Sequence, residues 1–136
     1  MAKTAKPKST QRALGSMLLA FESFVVFFGL LATFNLPGMD GATVWAIGLS
    51  LSVLMIATPG ILGRKGSYLF GWILQVVVLV LSIAIATVVP FAGGVCILVA
   101  VIFVGLWAWA MIAGTGIDAA RKVYLEGQAL LEAEEK

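Results

Sequence analysis

Four apolar stretches, each close to the length needed to cross a lipid bilayer, take up most of this sequence: 14–34, 43–62, 67–89 and 95–113. A membrane helix needs about 20 predominantly apolar residues. Inside the hydrocarbon every backbone N–H and C=O must also find its partner within the segment, which favours helices over anything irregular. An all-α membrane fold, a four-transmembrane-helix bundle, is therefore the expected architecture. The chain is 61% hydrophobic and 12% charged, against about 45–50% and about 25% in soluble domains. One membrane domain, 14–116, leaves only a basic segment at 1–13 and a C-terminal segment at 117–136.

Charge orients the bundle. Lys3, Lys6, Lys8 and Arg12 precede the first stretch, Arg64 and Lys65 separate the second from the third, and Arg121, Lys122 and Lys136 follow the fourth. If four helices alternate in direction, all nine basic residues lie on one side. The positive-inside rule then predicts both termini in the cytoplasm and a multi-pass protein of the plasma membrane. The opposite turns carry Asp40 as their only charge. Segment 1–13, rich in Lys, Ser, Thr and Pro, is expected to be a disordered tail. The first stretch is longer than the 7–15 residues of a signal-peptide core and contains a carboxylate, so it reads as an anchor.

That carboxylate, Glu22, needs a reason to be there. A charge in the middle of a membrane helix costs at least a few kcal/mol, so such residues face a protein interior or a wet cavity, or become neutral. Gln75 is the only amide in the four stretches, and an unpaired amide in hydrocarbon is also expensive. Glu22 follows Arg12 by ten residues and Gln75 follows Lys65 by ten. Both should sit about 12 Å into the membrane from the same side, at 1.5 Å per residue. An intramembrane polar pair between the first and third helices follows.

Lipid provides no hydrophobic drive for helices to associate, so small residues that permit close approach mark the contact faces. Gly15, Gly29, Gly48, Gly71 and Gly105 are the expected helix-packing positions. Ser52, Tyr68, Trp72 and Trp107 are candidates to line a pocket around Glu22, although Trp107 also suits an interfacial belt with Trp109. Pro59-Gly60 should kink or end the second helix, the last hairpin should turn at 90–94, and Gly114-Thr115-Gly116 should separate the fourth span from a cytoplasmic amphipathic helix over 117–136. On that helix Ile117, Ala120, Tyr124 and Leu131 fall at helical spacing.

Several of these stretches together resemble a known family. LLAFESFVVFFGLLA with Glu22, GSYLFGWILQVVVLV with Gly71, Trp72 and Gln75, and VVPFAGGVCILVAVIFVGLWAWA with Val89, Pro90, Phe103 and Trp107 are similar to the domain-of-unknown-function 4233 family of small actinobacterial membrane proteins. The resemblance covers about 100 residues and implies four spans with no established activity. It says nothing of the Lys-rich start or the acidic end.

Enzymatic equipment is sparse. The chain has no histidine, one cysteine, Cys96, and no nucleotide-binding loop. General acid–base work usually needs two groups held at separated pKa values, and here one acid stands alone in the spans. We expect no catalysis, no metal, no cofactor and no nucleic acid partner. The expected partners are the lipid bilayer and either a larger membrane-protein complex or further copies of the chain, with the protein a non-catalytic accessory or scaffolding component. The alternative is an oligomeric proton-coupled small-molecule transporter or channel using Glu22, similar in outline to the small multidrug resistance transporters. Their aromatic and glycine motifs are missing here, and their weak charge bias contrasts with the one-sided basic residues of this chain.

Overall fold

Ser9 starts the first helix: its Oγ accepts from the backbone N–H of Arg12, satisfying one of the donors that a helix start leaves without a partner. Helix α1 then runs Thr10–Thr33, followed by α2 Gly41–Ala57, a single 3-10 turn Thr58–Gly60, α3 Ser67–Val88 and α4 Pro90–Glu134. The computed structural model describes residues 9–34, 36–64 and 66–136. Most of the basic segment expected to be disordered, 1–8, lies outside the described residues, as does Lys65. All four helices, α2 taken with its 3-10 turn, are long and apolar enough to cross a membrane. The chain is a multi-pass membrane protein.

The short turns obey local chemistry. Asp40 caps α2, its Oδ2 accepting from the N–H of Thr43 at 3.0 Å and from Thr43 Oγ1 at 2.6 Å. Pro59 has no N–H to continue the α-helical ladder, so α2 ends at Ala57 and tightens into the 3-10 turn. Gly66 precedes α3 at φ 81°, a left-handed conformation that glycine adopts without steric penalty.

Three boundaries differ from the sequence reading. Helix α1 begins at Thr10, so residues 9–13 belong to the folded domain. Pro90 occupies the first turn of α4, where a missing N–H is harmless, and the last hairpin shrinks to a bend at Val89. The 114–116 break does not exist: α4 continues unbroken to Glu134, and the amphipathic segment is its direct extension. Thr115 keeps its hydroxyl inside the helix, donating to the carbonyls of Met111 and Ile112.

Helix α4 packs against both α1 and α3, and α2 packs against α1. Its buried positions Gly93, Ala100, Phe103, Trp107, Ala110 and Gly114 recur at alternating spacings of seven, three and four, the seam of a left-handed helix bundle. The glycines on it are contacts rather than turns. A Cβ on Gly93 would strike the backbone of Ala86, and one on Gly114 would strike the backbone of Gln11. Gly15, Gly48 and Gly71 are also close contacts, a Cβ on Gly48 coming within 2.6 Å of Leu30. Gly29 and Gly105 are not: a Cβ on either would meet nothing within 4 Å. Gly105 lies off the heptad seam of α4, whereas Gly29 keeps the seven-residue spacing of Gly15 and Glu22 but has no helix packed closely against it there.

Candidate functional site

Heptad spacing turns Leu19, Glu22, Leu30 and Thr33 of α1 inward, and the same spacing turns Ser67, Gly71, Leu74, Gln75 and Ser82 of α3 inward. The two polar side chains meet. Gln75 Nε2 donates to Glu22 Oε2 at 2.5 Å, and each residue is only 1% exposed. Beside them Ser23 Oγ donates across to the carbonyl of Ser52 at 3.0 Å. Ser52 Oγ in turn donates to Gly48 O at 2.9 Å within α2. The polar layer thus links α1 to α3 on one side and to α2 on the other.

Trp107 of α4 packs one turn from Gln75, against Gly71. It is 0% exposed and is the largest fully buried side chain. Its ring lies flush on Gly71, and its Cη2 is 3.5 Å from where a Cβ of Gly15 would stand. It belongs to a buried apolar cluster that includes Leu19, Leu51, Met55 and Leu74. The carboxyl oxygen Glu22 Oε1, the amide oxygen Gln75 Oε1 and the indole nitrogen Trp107 Nε1 are buried and have no hydrogen-bond partner among the described residues.

A second polar contact sits at the end where α1 begins. Ser9 Oγ and the backbone N–H of Thr10 each donate to the Asp118 carboxylate at 2.7 Å, and the N–H of Gln11 does so at 3.2 Å. Asp118 on α4 therefore caps the start of α1 from 109 residues away in sequence. A carboxylate at a helix N-terminus also complements the helix dipole. Gln11 Nε2 adds a contact to Met111 Sδ at 3.4 Å, next to the Gly114 approach. Gly63 stands against Arg12, a Cβ there lying 3.3 Å from Arg12 Cδ. The start of α1, the middle turn and the exit of α4 thus share one end, with Arg12, Arg64, Arg121 and Lys122.

Residues 12–123 match the family described as "Protein of unknown function (DUF4233)". The chain belongs to this DUF4233 family. No curated protein and no solved structure matches it. The DUF4233 match takes in Glu22, Gln75, Trp107 and Asp118 together.

Of the residues singled out from the DUF4233 sequence, Glu22 and Gln75 join directly, Ser52 accepts from the neighbouring Ser23 through its carbonyl, and Trp107 packs on Gly71, one turn before Gln75. Tyr68 is half-buried against the same core, one turn before Gly71. Trp72 does not line the layer. It is 38% exposed, because Gly71 takes the inward position and the next residue points about 100° away on a helix of 3.6 residues per turn. Trp107 is in the core and not in an interfacial belt, while Trp109 is 59% exposed. Asp118, Ser23, Gly93 and Gly114 were not foreseen. The seven-residue recurrence of Gly93, Ala100, Trp107 and Gly114 was a readable signal for the glycines, but nothing local in the sequence connects Asp118 with Ser9.

The Asp118 clasp carries a pH dependence. Partial burial pushes its carboxyl up, but the hydrogen bonds from Ser9, Thr10 and Gln11 outweigh this and hold it down at about 2. An unfolded Asp titrates near 3.9. A group depressed in the fold stabilises it fully above the unfolded value and ceases to do so as pH falls through the folded one. The difference in unfolding temperature between wild type and Asp118→Asn should be constant above about pH 4 and close toward about pH 2. A difference that stays constant down to pH 2 would show that the carboxylate does not hold α1.

Proposed function

We propose that this chain is a non-catalytic accessory component of a larger membrane complex, set in the plasma membrane with both termini in the cytoplasm. In this reading the four spans form a rigid anchor and the extension of α4 is the part that meets a partner. The observation that carries it is the extension itself. From Thr115 to Lys136 every residue except Asp118 is exposed, yet α4 stays helical to Glu134. Val123, Tyr124, Leu130 and Leu131 are 64–69% exposed along one face of it. A continuous helix transmits its orientation from the membrane, because α4 is fixed below by Gly114 on Gln11 and by Asp118 on the start of α1.

The core supports the same reading. Glu22 is engaged by Gln75 and shut off from both the surface and the lipid, as suits a polar pair that sets helix register. Transport would require that carboxyl to reach an aqueous path. The deciding experiment is a mild-detergent pull-down of the full chain with mass spectrometry, repeated with Tyr124→Glu plus Leu131→Glu. The expected result is a membrane complex recovered with the wild type and reduced at least tenfold with the double variant. Equal recovery, or substrate-dependent proton flux in liposomes that Glu22→Gln abolishes, would overturn the proposal.

A further inference from the structure

We infer that Glu22 Oε1, Gln75 Oε1 and the indole N–H of Trp107 together bind one water molecule at the centre of the bundle. All three atoms are buried without a partner among the described residues, on side chains that are 1%, 1% and 0% exposed. Buried polar groups almost always pair with protein or with ordered water. Three orphans in one core call for a common explanation.

Packing puts them side by side. Gln75 Nε2 already joins Glu22 Oε2, so the second oxygens of the two groups flank one bond. Trp107 Cε2, the ring carbon that bears Nε1, lies 3.0 Å from where a Cβ of Gly71 would stand. Gln75 is the next turn along that face, where side chains four residues apart are neighbours. Side chains on a helix also lean toward its N-terminus. Glu22 on α1 and Gln75 on α3 therefore both lean toward the end of the bundle where the indole packs, its Cε2 edge against Gly71.

The set of groups names the ligand. Two acceptors and one donor are the complement of a water molecule, which offers two O–H donors and a lone pair. A metal cation or an ammonium ion has no lone pair for the indole N–H, and a simple anion has no donor for the two oxygens. About three hydrogen bonds is also the usual number for a buried water. This site depends on the core alone and not on the accessory role proposed above.

The test uses the full-length chain, ¹⁵N-labelled, in lipid nanodiscs. The Trp107 indole signal is assigned by its loss in Trp107→Phe, and magnetisation transfer from water to that proton is then measured. A cross-peak from a long-lived water at the Trp107 indole is expected in the wild type, and its loss is expected in Gln75→Leu. An indole proton with no water contact in the wild type would overturn the inference, as would an undiminished cross-peak in folded Gln75→Leu. Because the wild-type spectrum decides by itself, a variant that fails to fold leaves the inference open to refutation.

Discussion

Trp107→Ala is expected to destabilise the bundle by about 3 kcal/mol, more than any other single truncation of an aromatic residue in the chain. Part of the usual penalty for such a change in a soluble core is transfer from water, and that part is small here because a displaced helix stays in lipid. The remaining part is lost packing. An indole that touches atoms on all sides forfeits its dispersion contacts when cut back, and rigid helices cannot collapse fully into the space. Trp107 is the largest side chain on the buried seam of α4, and it fills the space between Gly71 of α3 and Gly15 of α1. No comparable loss is expected for Trp109→Ala, whose ring is 59% exposed. Unfolding in mixed micelles would measure both. Equal losses for the two variants would contradict the wedge role, whereas partial recovery of Trp107→Ala by a second change, Gly71→Leu, would support it.

The second large effect concerns the polar pair. Gln75→Leu should destabilise by about 1–3 kcal/mol, because it leaves the Glu22 carboxyl buried without its donor. Glu22→Leu should destabilise as well, since it strands the Gln75 amide in the core. The double variant should lose less than the sum of the two, with a coupling of about 1 kcal/mol, in the range found for hydrogen bonds between membrane helices. A double-mutant cycle in mixed micelles would read this coupling directly. Additivity within about 0.3–0.5 kcal/mol would mean that the two side chains do not support each other in the membrane.

These two predictions come from different levels of information. The meeting of Glu22 and Gln75 was legible in the sequence because depth in a membrane is a one-dimensional quantity. Two helices that start on the same side, each with a polar residue ten positions past a basic one, place those residues at one level whatever the packing. Trp107 was not legible in that way. Its depth allowed both a belt and a pocket, and the choice depended on which way α4 is rotated. The same limit explains Trp72, one position from an inward glycine and yet facing out.

Glycine shows the limit most clearly. Gly93 and Gly114 read as turn and helix breaker, yet both sit inside α4 where another backbone comes too close for any side chain. Gly29 and Gly105 read as contacts and touch nothing there. In a membrane helix the backbone ladder is not easily broken, since no water waits to replace a lost hydrogen bond. A glycine is thus free to serve as a contact, and only the neighbouring helix determines whether it does.

By itself the sequence determined the number of spans, the level at which the two buried polar groups sit and the gathering of Arg12, Arg64, Arg121 and Lys122 at one end. All of these follow from hydropathy and rise per residue along a single helix. The tertiary structure alone decided that α4 runs on as one helix past the bundle, that Trp107 is its central wedge and that Asp118 caps the first helix across almost the whole chain. Those depend on which faces of different helices meet. That meeting is set by the fit of side chains in three dimensions, which no local pattern in the chain encodes.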